Sequence, residues 1–122
     1  HTLGHAVEMM AGYSSSLYHG EAVAIGMAAA ARLSVSAGKC GAPDAERLVV
    51  LLERFGLPVA MRKPPATAAL RSALARDKKT RKGMPKFVLM DRIGSVTTGR
   101  EVAPSGWRAA LAGRAAPAGG GR

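Results

Sequence analysis

The stretch that decides the fold reads HTLGHAVEMM over residues 1–10 and, after a short link, YHGEAVAIGM over residues 18–27. All three histidines of the chain lie within it. His1 and His5 are four residues apart, so on a helix they project from one face, one turn apart. His19 comes just before a long apolar run that predicts a second helix. The pattern therefore predicts two helices whose neighbouring ends bring three imidazoles together.

Converging imidazoles are one way to bind a divalent metal. Neutral imidazole is a good zinc ligand at ~2.0–2.1 Å, and a catalytic zinc usually takes three protein ligands with one open position. Glu8 and Glu21 are nearby carboxylates that could orient an imidazole from outside the metal's own ligand set. Spacing alone also allows helix-surface or core histidines whose ring nitrogens bond to the backbone. The clustering of every histidine in one stretch favours the metal interpretation.

Several short sequence motifs in this stretch and beyond it match those of a known family. They are GHAVE at 4–8, HGEAVAIGM at 19–27, DKK at 77–79, KFVLM at 86–90 and IG at 93–94. Their wording, order and separation resemble the metal-binding region of 3-dehydroquinate synthase, an enzyme of the shikimate pathway of aromatic amino acid biosynthesis. The resemblance runs from His1 to about Leu111, nearly the whole chain.

The resemblance implies a fold and a reaction. In this family a helical C-terminal domain packs beneath an N-terminal NAD-binding domain, and the active site lies in the cleft between them. The enzyme, a phosphorus–oxygen lyase, converts 3-deoxy-D-arabino-heptulosonate 7-phosphate to 3-dehydroquinate and phosphate. NAD oxidises a ring hydroxyl transiently, phosphate is eliminated, the ketone is reduced again, and the ring opens and closes on carbon. Zinc, or cobalt in its place, holds the substrate hydroxyls.

The resemblance also assigns residues. His1 and His19 match the two histidine metal ligands, and His5 matches the histidine that meets the substrate and assists proton transfer. Lys78 and Lys79 match the lysines of the DKK word, which places them with the three histidines as substrate-binding residues. The third metal ligand of the family is a glutamate upstream, and most NAD contacts lie upstream too. This chain is therefore expected to hold no NAD-binding residue of its own and to be inactive alone.

Length and composition limit the number of domains, the cellular compartment and the kinds of partner that can be expected. The 122 residues suffice for one domain, and the single cysteine, Cys40, suits a reducing cytoplasm with a packed or incidental thiol. No apolar run approaches the 18 residues of a membrane span, so no membrane partner is expected. The chain begins inside a motif and without Met, which indicates a fragment of a longer protein.

The net charge of +10 is densest at residues 71–82. That run could bind nucleic-acid phosphates, form a solvated face or bind a small anionic substrate. No aromatic residue interleaves it, which makes nucleic acid a minority interpretation. A sister sugar-phosphate cyclase, a metal-dependent alcohol or glycerol dehydrogenase of the same fold, and a basic interaction module without activity remain alternatives. A homodimer is a further expectation.

Periodicity and breakers predict a mainly α domain over residues 1–112 with one short β-hairpin, the helical C-terminal domain of the dehydroquinate synthase-like fold. Helices are predicted at 2–10, 20–37, 43–55, 67–76 and 106–112, and hairpin strands at 86–90 and 95–98. Gly38 should end the second helix, while Asp44, Thr67 and Ser105 should cap the later ones. The Ala/Gly/Pro-rich residues 113–122 are predicted to be disordered.

Overall fold

The computed structural model describes residues 2–10, 17–76 and 85–113. These residues form five α-helices, one short 3-10 turn and one two-stranded antiparallel hairpin, so the predicted fold class is confirmed. In chain order the elements are α1 (Thr2–Met10), α2 (His19–Ser36), α3 (Ala42–Arg54), α4 (Thr67–Ala75), β1 (Phe87–Arg92), β2 (Ser95–Arg100), the 3-10 turn Pro104–Gly106 and α5 (Trp107–Leu111).

Helix α2 is the central element, and it packs against α1, α3, α5 and β1. Most of its buried side chains are small, with alanine at 22, 24, 28, 29 and 31, which lets its neighbours approach closely. Gly38, just after the Ala37 C-cap, terminates the helix with a φ of 73°, which no other residue type adopts as readily. The Gly38 N–H donates to the Val35 carbonyl and the Lys39 N–H to the Ser34 carbonyl, the paired bonds of a Schellman motif. The predicted helix and its predicted end are both confirmed.

The main core joins α1, α2, α4, α5 and the hairpin. Its fully buried large side chains include Leu33, Leu70, Leu74, Leu89 and Trp107. The rings of Trp107 and Phe87 lie 5.8 Å apart, and the indole N–H donates to the Val102 carbonyl at 3.3 Å. A hydrophobic cluster of this kind supplies most of the stability of such a small domain. It also fixes α1 against α2, which positions His5 and His19.

Two polar side chains, buried Ser34 and half-buried Arg32, connect α2 to the rest of the chain. The Ser34 hydroxyl donates to the Ala30 carbonyl at 2.7 Å and accepts the Met90 N–H of β1 at 2.8 Å. The Arg32 guanidinium donates to the carbonyls of Val59 and Ala110, at 2.8 and 2.9 Å. Burial lowers the pKa of Arg32 from its ordinary value.

Helix α3 differs from its prediction at its start. Asp44 was predicted as the N-cap, but the N-cap is Gly41, and Pro43 lies in the first helical turn. Proline suits that turn because its fixed φ is helical and its missing N–H would have no partner there. The Asp44 carboxylate instead accepts the Ile93 N–H at 3.1 Å, which ties the helix to the hairpin turn.

The inner face predicted for α3 is also wrong in part. Of the five residues 48, 49, 51, 52 and 55, only Leu52 is buried, with Leu48 and Val49 partly buried against it. Leu51 is 52% exposed and Phe55 is 75% exposed. The helix packs mainly on α2 along one narrow stripe, whereas its apolar residues extend round more of its surface. Val50, Leu51 and Phe55 therefore form an uncovered apolar face.

The remaining differences are at element ends. Thr67 is the first residue of α4 and Ala66 its N-cap, so the predicted threonine cap is wrong. Ser105 lies within the 3-10 turn that Pro104 begins, and α5 starts only at Trp107. The hairpin is confirmed, with Gly94 at φ 91° in its turn. The predicted disorder of the tail concerns residues that, beyond Gly113, lie outside the described ones.

Cys40 is buried, and burial raises the pKa of its thiol, as does the nearby charge of Asp44. A thiol with a raised pKa is a poor nucleophile, which agrees with the predicted packed thiol. Within the described part of the chain, no helix is both long enough and apolar enough to cross a membrane.

Candidate metal and proton-transfer site

The site is built on the close crossing of α1 and α2. Gly4 of α1 lies directly over the first turns of α2, and a Cβ added at Gly4 would be 2.7 Å from the Ala22 carbonyl oxygen. The same Cβ would be 3.5 Å from the Cα of Gly26. Glycine at position 4 of α1, with alanine at 22 and glycine at 26 on α2, allows the two backbones to approach more closely than larger side chains would permit. This approach sets the distance between residues of α1 and the start of α2.

We expect Gly4→Ala to destabilise the fold by about 1–3 kcal/mol, the usual cost of forcing extra volume into a packed contact. Alanine is the better helix former by ~1 kcal/mol, so the clash with backbone atoms must outweigh that gain. The matched control is Gly20→Ala, since a Cβ at Gly20 meets nothing within 4 Å. Urea unfolding of the three proteins measures the effect. Equal stability of Gly4→Ala and wild type would show that the helices do not cross as described.

Across this crossing, Glu8 of α1 meets His19 of α2. The Nδ1 atom of His19 lies 3.0 Å from Oε1 and 2.9 Å from Oε2 of Glu8. The Glu8 side chain is only 9% exposed, whereas that of His19 is 67% exposed. The ring is therefore held by its Nδ1 edge against the protein while most of its surface is accessible. A carboxylate on one ring nitrogen is the usual arrangement of a histidine that binds metal through the other.

Glu21 has a different role. Its carboxylate accepts the backbone N–H of Tyr18 at 3.0 Å and so satisfies a donor at the start of α2. Of the two carboxylates considered from the sequence, Glu8 is thus the one that contacts an imidazole, and Glu21 stabilises the helix end from which His19 projects.

Of the other predicted site residues, the structure describes only His5. His5 lies half-buried on α1, three residues before Glu8 and on the same side of the helix. His1, Lys78 and Lys79 lie outside the described residues, so their roles stay predictions. Within residues 2–10, 17–76 and 85–113, no three His, Cys, Asp or Glu side chains come together as a metal site. The donor chemistry of His19, with its carboxylate partner, fits a metal ligand, and the metal itself stays a prediction.

Gly4 is the residue that sequence reasoning missed. A glycine inside a helical stretch costs ~1 kcal/mol relative to alanine, which signals a packing or functional reason for its presence. The reason is the backbone of Ala22, which the spacing of the histidines could not reveal.

Comparison with known proteins finds the same region matched. Residues 1–80 match the family model described as 3-dehydroquinate synthase C-terminal. The chain is 48% identical over 102 residues to the 3-dehydroquinate synthase of Opitutus terrae, covering 84% of this chain and 28% of that protein. It is 50% identical over 96 residues to that of Pelobacter propionicus, covering 77% and 26%. It is 53% identical over 95 residues to that of Geobacter metallireducens, again covering 77% and 26%. The chain thus spans less than a third of the length of these relatives.

Proposed function

The chain belongs to the 3-dehydroquinate synthase family, and from this premise we propose that it supplies the metal-binding and proton-transfer part of a 3-dehydroquinate synthase. The observation that carries the proposal is the Glu8–His19 pair, which lies inside the residues matched by the family model. The pair presents an accessible imidazole where the family has a metal ligand. The relatives named above are all called 3-dehydroquinate synthase, which supports this enzyme over a sister cyclase or a dehydrogenase.

The proposed reaction is the conversion of 3-deoxy-D-arabino-heptulosonate 7-phosphate to 3-dehydroquinate and phosphate. NAD, when bound, supplies the transient oxidation and re-reduction. The proposed partner of this chain is the N-terminal NAD-binding domain, since the chain covers only 28% of the Opitutus terrae relative. A reducing cytoplasm and a homodimer are parts of the same proposal.

Within the reaction the chain's own residues divide the work. His1 and His19 would hold the metal, zinc or cobalt, which when bound polarises the substrate hydroxyls. His5 moves a proton to or from the substrate, a task suited to imidazole because its ordinary pKa of ~6.5 is close to working pH. One of the two lysines Lys78 and Lys79 binds an anionic group of the substrate, where a charge-assisted hydrogen bond contributes ~1.5–3 kcal/mol. Substrate phosphate and carboxylate also account for a basic run without invoking nucleic acid.

The test compares the 122-residue chain with a completed enzyme. In the completed enzyme the chain follows the N-terminal part of the Opitutus terrae relative, in place of the 102 residues that it matches. Phosphate release is measured with the seven-carbon substrate, NAD and zinc. We expect turnover from the completed enzyme and none from the chain alone, because a protein that cannot position NAD cannot perform hydride chemistry.

The chain alone should also bind zinc weakly, bind no NAD and tend to associate through exposed apolar surface such as the face of Val50, Leu51 and Phe55. Turnover by the chain alone, or none from a folded completed enzyme, would contradict the proposal.

A further inference from the structure

Glu8 is an ionisable side chain on an otherwise apolar buried face. The other buried residues of α1 are Leu3, Gly4, Ala6 and Val7. A carboxylate in such a position is costly unless it is hydrogen-bonded, and both of its oxygens lie within 3.0 Å of one atom, His19 Nδ1. Leucine or methionine would fill the same space without that cost. The placement of Glu8 therefore indicates a task that involves the His19 ring.

The task follows from the chemistry of the two groups. An ionised carboxylate only accepts hydrogen bonds, so the nitrogen that faces it must carry the proton. In a neutral imidazole one nitrogen is a donor and the other an acceptor. With the proton held on Nδ1, the lone pair of the neutral ring is on Nε2. That ring is 67% exposed, so the lone pair is on an accessible side chain.

We propose that Glu8 is a positioning residue that fixes the Nδ1–H tautomer of His19 and so makes Nε2 the metal-binding atom before any metal arrives. A metal ligand must offer a lone pair, and a ring already in the right tautomer and orientation needs no rearrangement to bind. The role of Nε2 rests on the proposed function, whereas the tautomer does not. The two can therefore be tested separately.

The tautomer is read directly by nitrogen-15 NMR of the labelled 122-residue chain. Spectra are recorded as a pH series, and the tautomer is read at its alkaline end, where the ring-nitrogen shifts no longer change with pH. His19 is assigned by its absence from the spectrum of His19→Asn. We expect wild-type His19 to show a protonated Nδ1 and an unprotonated Nε2. A wild-type ring protonated on Nε2 would overturn the inference, and the tautomer itself is read on the wild-type chain, with the variant used only for assignment.

The variant Glu8→Gln keeps the shape of the side chain but replaces a group that only accepts hydrogen bonds with one that can also donate them. An amide can donate to Nδ1 as well as accept from it, so the Nε2–H tautomer should appear. The matched control is Glu21→Gln, which changes the other nearby carboxylate at the Tyr18 N–H. That control should retain the wild-type tautomer. A folded Glu8→Gln chain with an unchanged tautomer would also overturn the inference.

Zinc affinity provides the second readout, in the completed enzyme. Loss of such a carboxylate partner typically weakens metal binding ~10–100-fold, so Glu8→Gln should lose that much while Glu21→Gln stays at the wild-type value. Competition with a chromophoric chelator measures both. Equal affinities in the two variants would contradict the positioning role. If the wild-type completed enzyme binds no zinc at all, the metal part of the proposed function is wrong, and the tautomer still decides the inference on Glu8.

Discussion

Replacing His5 with alanine in the completed enzyme should lower turnover by roughly 10²–10⁴ and leave one zinc per chain in place. The size is that expected when a positioned general acid–base group is lost. His5 lies half-buried on α1, on the same side as Glu8, and so close to the element that orients the proposed metal ligand. Phosphate release measures turnover, and atomic emission of the purified protein measures zinc.

The variant His5→Gln separates proton transfer from simple polarity. Glutamine retains hydrogen bonding but cannot carry a proton at neutral pH, so it should be nearly as slow as alanine. Urea unfolding shows whether either change disturbs the packing of α1. Wild-type turnover in both variants would remove His5 from the chemistry. Loss of zinc in either variant would instead make His5 part of the metal site.

The parts of the fold that could be predicted are those that local sequence fixes. Helix α2 is apolar round most of its surface, which predicts a central position, and Gly38 supplies the left-handed residue that ends it. The hairpin follows from two short strands around Ile93 and Gly94, where a positive φ is again needed. Such features depend on residues close together in the chain, so the pattern contains the information.

Helix α3 shows what local sequence does not determine, namely which of its apolar residues are covered by the rest of the fold. Its apolar residues predicted a wide inner face, yet Leu51 and Phe55 are exposed. Periodicity shows which residues could be buried, but the number of neighbours that a helix has decides how many are. Its start was misplaced for a similar reason, since Gly41 offers no side-chain cap that a sequence could display.

For the candidate site, the sequence names candidate residues, whose roles stay predictions, but it does not show how they are arranged. Histidine clustering indicated His5 and His19, and two carboxylates were equally eligible as partners. The choice of Glu8 over Glu21 depends on the crossing of α1 and α2, which Gly4 and the Ala22 backbone set. Residues 8 and 19 lie on two different helices, so no helical spacing rule links them. Only the packed helices show that Glu8 faces Nδ1.

Replacing His19 should abolish zinc binding, and the structure predicts that two replacements will differ in stability. Loss of a ligand should weaken zinc binding by more than the ~10–100-fold typical of losing an outer partner, so neither His19→Ala nor His19→Asn should retain the metal in the completed enzyme. In His19→Ala the Glu8 carboxylate, 9% exposed, also loses its donor. Leaving a buried polar group without its hydrogen-bond partner lowers the free energy of unfolding by about 1–3 kcal/mol.

Asparagine can place its side-chain N–H near the position of Nδ1, so His19→Asn should keep most of the stability that the contact with Glu8 contributes. The expected pattern is therefore two zinc-free proteins, of which only His19→Ala is clearly less stable in urea. Full zinc occupancy in either protein would remove His19 from the metal site. Equal unfolding midpoints for wild type and His19→Ala would show that the Glu8 carboxylate does not depend on His19, because a buried carboxylate without a donor cannot be neutral to folding.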